Sequence, residues 1–377
     1  MSAFRFSNGH VATSSGVLDG AEISVERGTI RDISPLTDAS DAVDLGGGWV
    51  LPGFIDTQVN GGGGVLFNDS LNVDGIAAIG AAHARFGTTG FLPTLISEDM
   101  KAIAAALEAV DAAIEAGIPG VLGAHIEGPV LNPARKGIHD AAKFRRLDEA
   151  LVAVLTKPRR GRVVLTVAPE CVELADIRTL TRAGVIVSAG HTDATFEQAE
   201  AAFEAGVSGV THLFNAMPPI YQRAPGIAGA TLLDPRPWSG LIVDLEHVAT
   251  PVLRMALKIR PFEKLMLVTD AMPSVGSDQP SFTLQGRTIQ IANGRCVDGE
   301  GTLAGSDLNM ATAVANCVEA LGLTPDRAAV LASANPAAFL GLSHERGALT
   351  PGLRAEWVVL DGKLRPVHTH FAEDPAS

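Results

Sequence analysis

Through most of its 377 residues the chain alternates short apolar runs with amphipathic, often alanine-rich stretches. That alternation constrains the fold more than any other feature. Each helix carries the chain back to begin the next strand in the same direction, which favours a parallel sheet, closed or open. Met100 to Glu115 reads as one such helix; Gly117 can cap it and Pro119 prevents its continuation. Another begins at Thr195, with Gln198 at the capping-box spacing, and stops near Gly206. A (β/α)8 barrel takes about 250 residues, so roughly a hundred remain for something else. The chain ends supply it. Glu22–Val25 and Thr29–Ile33 flank a hairpin signal at Arg27-Gly28, and Trp357–Leu360 runs into a turn at Asp361-Gly362. Residues 1–50 and 343–377 are therefore expected to pair into one small β-sandwich domain, with a catalytic barrel of residues 51–342 inserted between them.

Four apolar runs end on chemically capable side chains. Val121–Ile126 runs into Glu127, Val185–Gly190 into His191, Gly209–Thr211 into His212, and Lys264–Thr269 into Asp270. In a parallel barrel the C-terminal strand ends converge on one face, so these four residues become neighbours. Two imidazoles and one carboxylate are a common ligand set for a catalytic divalent metal with an open position. Glu127, His191 and His212 are assigned as ligands. Asp270 is assigned as the base that takes a proton from water and the acid that returns it to a leaving nitrogen. Taken singly, each residue has a bland reading: a strand-end histidine as a structural hydrogen bonder, Asp270 as a helix cap, Glu127-Gly128-Pro129 as an ordinary turn. Four such coincidences on separate strands are harder to dismiss.

The formal charge of -13 argues against a partner held by general electrostatics, such as nucleic acid, yet leaves room for a small anion in a local basic pocket. Cys171, Cys296 and Cys317 are far apart and form no CxxC pair, so buried free thiols are expected rather than a cysteine metal site or a disulfide framework. The start, MSAFRFSNGHVATSSG, lacks a signal-peptide pattern, and no run of about 18 apolar residues suggests a membrane span. A cytoplasmic location is expected.

The motifs resemble those of the N-acetylglucosamine-6-phosphate deacetylases, a branch of the amidohydrolase superfamily. They are Pro52–Asp56, His125–Pro129, Val187–Thr192, Thr211–Pro218 and Leu267–Ala271, with Thr302–Ser306 and Ala334–Ala337 in matching order later. The resemblance implies a (β/α)8 barrel with a flanking β domain, a homodimer, and hydrolysis of the acetamide of N-acetyl-D-glucosamine 6-phosphate. It also implies substrate contacts through His139, Asn215, Ala216, Arg223 and His247. Arg223, reaching across the dimer, and His247 would bind the phosphate; Asn215 and the Ala216 N–H would add donors; His139 would polarise the acetyl carbonyl.

Two departures stand out. Many amidohydrolases carry His-x-His after the first barrel strand for a second metal, where this chain has Gln58 and Asn60. An amide is a weak ligand for a transition metal, so one divalent ion per subunit is expected: zinc first, with iron, manganese or cobalt fitting the same donors. In Asp244-Leu245-Glu246-His247, Leu245 replaces a customary glycine, and Glu246 puts a negative charge beside the expected phosphate site. The alternatives are a deacetylase of another N-acetylated amino sugar such as N-acetylgalactosamine 6-phosphate or an unphosphorylated sugar, a cyclic amidase, and a barrel that has lost catalysis.

Overall fold

The computed structural model describes residues 2–372. Eight parallel strands form one sheet: Phe54–Val59, Thr88–Ile96, Gly123–Glu127, Arg162–Val167, Ile186–Ala189, Gly209–Val210, Trp238–Leu241 and Leu265–Leu267. They pair in chain order. A parallel bridge between Val59 and Ala271 then joins the last to the first, and the Asp270 N–H donates to the Gln58 carbonyl at 3.0 Å. The sheet is thus a closed barrel, and a helix follows every strand. These strands are buried along nearly their whole length because helices cover one face and side chains fill the other.

The expected helix boundaries hold. One helix spans Met100–Glu115, capped by the Asp99 side chain, and another spans Phe196–Ala205 with a full Thr195–Gln198 capping box and Gly206 behind it. Barrel closure has its own polar stitch. Buried Asp56, on the first strand, accepts a hydrogen bond from the Thr269 hydroxyl at 2.5 Å and from the backbone N–H of Gln58 and of Thr269. Burial pushes the Asp56 carboxyl up to about 7, against the pull of the Thr269 hydroxyl.

The chain ends meet in a seven-stranded mixed sheet in which Trp49–Pro52 lies between Ser2–Thr13 and Trp357–Leu360. The Arg27-Gly28 hairpin is present, with positive φ at both residues as a two-residue turn of this kind requires. The sequence reading missed a second sheet. Four antiparallel strands, Ser281–Leu284, Arg287–Ala292, Arg295–Val297 and Leu303–Ser306, interrupt the last strand–helix unit and lie against the barrel mouth. Gln285-Gly286 and Asn293-Gly294 sit at the first two of its three hairpin turns, a signal that was available. The thiols also correct one expectation: Cys296 and Cys317 are buried, but Cys171 is exposed. Among the described residues no helix is long and apolar enough to cross a membrane.

Candidate active site

The four strand-end residues meet. Glu127, His191, His212 and Asp270 are all buried and line one cavity of about 380 Å³ at the C-terminal mouth of the barrel. Glu127 Oε1 lies 3.2 Å from His191 Nε2 and 3.1 Å from His212 Nε2, and the two Nε2 atoms are 3.1 Å apart. Three ligand atoms thus form a nearly equilateral triangle. His191 Nδ1–H donates to the Arg135 carbonyl at 2.9 Å, so in the neutral ring the Nε2 lone pair faces the triangle. Burial alone would raise the Glu127 carboxyl; the His191 and His212 hydrogen bonds outweigh it and hold the carboxyl well below its ordinary range. The donor set and the fixed tautomer both suit a divalent cation.

His139 is a competitor for the third ligand position. It, Glu127 and His191 bring one ligand atom each within 4.8 Å of one another. Its Nε2, however, is 3.9 Å from the nearer Glu127 oxygen, so the triangle closed by His212 is the tighter one. His139 Nδ1 is 2.8 Å from the Ser97 hydroxyl, and burial, then the neighbouring His191, pushes the ring down to about 3, leaving it neutral.

Gln58 and Asn60 both face the carboxylates of the cavity. Gln58 Nε2 donates to Glu127 Oε1 and to Asp270 Oδ1, both at 3.0 Å, and Asn60 Nδ2 donates to the same Asp270 oxygen at 2.7 Å. The amides therefore orient the two carboxylates with N–H groups. Burial, then the charge of Glu127, raises the Asp270 carboxyl above its usual value. His125, in the same motif as Glu127, is structural: Nδ1–H donates to the Thr57 carbonyl and Nε2 accepts from Thr166. Burial pushes it down to about 4.

His191, His212 and Asp270 share a backbone signature, with φ of 48°, 33° and 53°. Left-handed backbone costs a residue with a side chain about 1–3 kcal/mol, and such strain collects where a side chain must be aimed. The chain crosses the barrel rim in this conformation three times, each time turning a functional group inward.

The match to the amidohydrolase family covers residues 49–376. The chain belongs to the amidohydrolase family. It is 37% identical over 360 residues to an N-acetylgalactosamine-6-phosphate deacetylase of Shewanella sp. (strain ANA-3), covering 94% of this chain and 91% of that one. The N-acetylglucosamine-6-phosphate deacetylase of Pasteurella multocida superposes with a TM-score of 0.94 at 32% identity, covering 99% of each chain. A Mycobacterium smegmatis variant in complex with N-acetyl-D-glucosamine-6-phosphate gives 0.90 at 32% identity, again covering 99% of each. Amidohydrolases are metal-dependent enzymes, and the Glu/His/His group of this one could hold the metal.

The residues named by resemblance divide. His139, Asn215, Ala216 and His247 line the cavity of this amidohydrolase, and Asn215 Nδ2 is buried without a partner among the described residues. Leu245 keeps a glycine-like φ of 68°, and Asp244 accepts from the N–H of both Glu246 and His247 as well as from His247 Nδ1. So His247 is held at the wall despite the lost glycine. Arg223 is different. It stands exposed in the turn closed by the Tyr221–Ala224 bridge and does not reach the cavity of its own chain.

Sequence reasoning missed Ser97, the Arg135 carbonyl and Arg295, and it gave no role to Gly305 although it picked out the Thr302–Ser306 motif. Gly305 has φ of 55°, and a Cβ there would stand 2.7 Å from the Asp270 carbonyl oxygen and 2.8 Å from the Met272 side chain. Gly305→Ala is expected to push back the segment carrying Asp270, just beyond the last barrel strand, costing about 2 kcal/mol of stability and roughly 100-fold in kcat. Urea unfolding and steady-state rates check both; normal kcat in a destabilised variant would show that Asp270 tolerates the shift.

Proposed function

We propose that this amidohydrolase cleaves the acetamide of N-acetyl-D-glucosamine 6-phosphate, giving acetate and D-glucosamine 6-phosphate. The observation that carries the reading is a buried carboxylate, Asp270, beside a Glu127–His191–His212 triangle in one cavity. Those three residues would hold one divalent cation, with zinc suiting the donors best. Bound there, it would polarise the amide carbonyl and lower the pKa of water from 15.7 towards about 7.

The remaining chemistry belongs to the chain. Asp270, steadied by Gln58 and Asn60, takes the proton of the attacking water and delivers it to the departing nitrogen. For His139 to support the oxygen as the carbonyl becomes tetrahedral, its ring proton must sit on Nε2, which requires the Ser97 hydroxyl to donate to His139 Nδ1 at 2.8 Å rather than to the Glu127 carbonyl at 3.2 Å; that support would contribute about 3–4 kcal/mol. Asn215 and Ala216 hold the sugar, and His247 meets the phosphate. Arg223 would come from the partner subunit of a homodimer; its exposed position beside exposed Ile220 and Tyr221 supports that. A phosphorylated sugar stays where it is made, which supports a cytoplasmic location. The terminal residues 1–50 and 343–377 form the small domain of this reading; a separate apolar cluster around Ile23, Ile30, Val50 and Trp357 supports it, and residues 1 and 373–377 lie outside the described ones.

Acetate release from the two phosphorylated epimers and from unphosphorylated N-acetylglucosamine tests the reading. N-acetylglucosamine 6-phosphate is expected to have the highest kcat/KM, by at least about tenfold, the worth of one well-placed hydrogen bond to the epimeric hydroxyl. The reverse ratio would assign the galactosamine epimer, the substrate in the name of the Shewanella relative. Equal rates without phosphate would remove Arg223 and His247 from their roles.

A further inference from the structure

A sugar phosphate carries nearly two negative charges at neutral pH. The cavity offered to it already holds Glu127 and Asp270, in a chain of net charge -13. Among the described residues of the cavity wall there is a single permanent cation, Arg295. It comes from the antiparallel sheet at the barrel mouth, not from a barrel strand.

Its position is fixed through the backbone. Arg295 pairs with Ser306 across the ladder, and the Ser306 N–H donates to the Asp270 carbonyl at 2.9 Å while the Ser306 carbonyl accepts from Met272 at 2.9 Å. One rung therefore separates Arg295 from the segment that carries Asp270. The guanidinium Nε is 3.5 Å from Glu246 Oε2, and both side chains are nearly half exposed. A pair that long and that wet is weak. Neither Nη atom of Arg295 donates a hydrogen bond to the protein among the described residues. Glu246 adjoins His247 in the turn pinned by Asp244, so Arg295, on the antiparallel sheet, and His247, on that turn, both line the cavity.

Resting on the sugar-phosphate reading above, we propose that Arg295 is a phosphate-recognition residue supplied within the subunit. Glu246 lies beside its guanidinium at the mouth without engaging it firmly, and the substrate phosphate takes the Nη donors beside His247. Guanidinium suits this task because its planar fork matches two phosphate oxygens. The negative charge that Glu246 brings to this turn is thereby matched before substrate arrives.

The experiment compares wild type, Arg295→Gln and Arg295→Lys. It measures kcat and KM on N-acetylglucosamine with and without the 6-phosphate, and the calorimetric Kd of glucosamine 6-phosphate. In Arg295→Gln the phosphorylated-to-unphosphorylated ratio of kcat/KM should fall about 10- to 100-fold, carried by KM, and glucosamine 6-phosphate should bind weaker by a similar factor. Arg295→Lys should recover part of the loss, keeping the charge without the fork. A glucosamine 6-phosphate Kd within about twofold of wild type, or an equal loss on both substrates, overturns the role of Arg295 alone. Wild type with no preference for the phosphorylated sugar overturns the functional reading and this inference with it.

Discussion

Asp270→Asn is expected to keep its metal and its affinity for glucosamine 6-phosphate while losing about 10³- to 10⁴-fold in kcat, the upper part of the range for a positioned acid–base group. The expectation follows from what the substitution preserves. Asparagine has the same shape, and its Oδ1 can still accept from Gln58 Nε2 and Asn60 Nδ2, the two donors that orient Asp270. The left-handed backbone at this position is one that asparagine tolerates as well as aspartate does. The ligand triangle contains no atom of Asp270. What disappears is the capacity to take up a proton and give it back. Acetate release, metal analysis and calorimetry on one preparation separate these effects. Activity within tenfold of wild type would remove Asp270 from proton transfer; loss of the metal would make it a ligand.

The barrel and the four strand-end residues were legible because both depend on local pattern. Apolar runs alternating with capped helices fix a parallel sheet, and a sheet of that kind collects its strand ends without further information. What a single strand could not show is what its side chains meet from elsewhere. The tautomer of His191 is set by the carbonyl of Arg135, on a loop with no motif of its own. The sequence marked Gln58 and Asn60 as absent histidines, and only the fold shows them donating to Glu127 and Asp270. Leu245 stood out as a missing glycine; that it adopts the glycine's backbone, with Asp244 pinning the turn, is a property of packing. The antiparallel sheet that brings Arg295 and Gly305 to the cavity was overlooked, although its Asn293-Gly294 turn is a strong hairpin signal. The apolar periodicity of its strands is weak, since Arg287–Ala292 is largely exposed.

Replacing Glu127 should have the largest effect of all, and the histidines around it decide how that effect is read. Glu127 Oε1 is close to both His191 Nε2 and His212 Nε2, and it also receives the Gln58 amide. Glu127→Gln keeps the volume but puts a neutral, weakly ligating amide at that corner. Two imidazoles alone then face each other, and the chain should purify folded with little metal. Without it, water loses roughly nine pK units of acidification, and acetate release should drop below about one ten-thousandth of wild type. Metal content, together with a cooperative unfolding transition, distinguishes this from simple loss of structure. His212→Ala and His139→Ala supply the discriminating pair, because either ring could close the ligand set with Glu127 and His191. The shorter distances to His212 require that His212→Ala lose the metal while His139→Ala retains it and loses rate alone. The opposite pattern would move the metal towards His139 and leave His212 as its support. A fully metallated, active Glu127→Gln protein would dismantle the site as drawn.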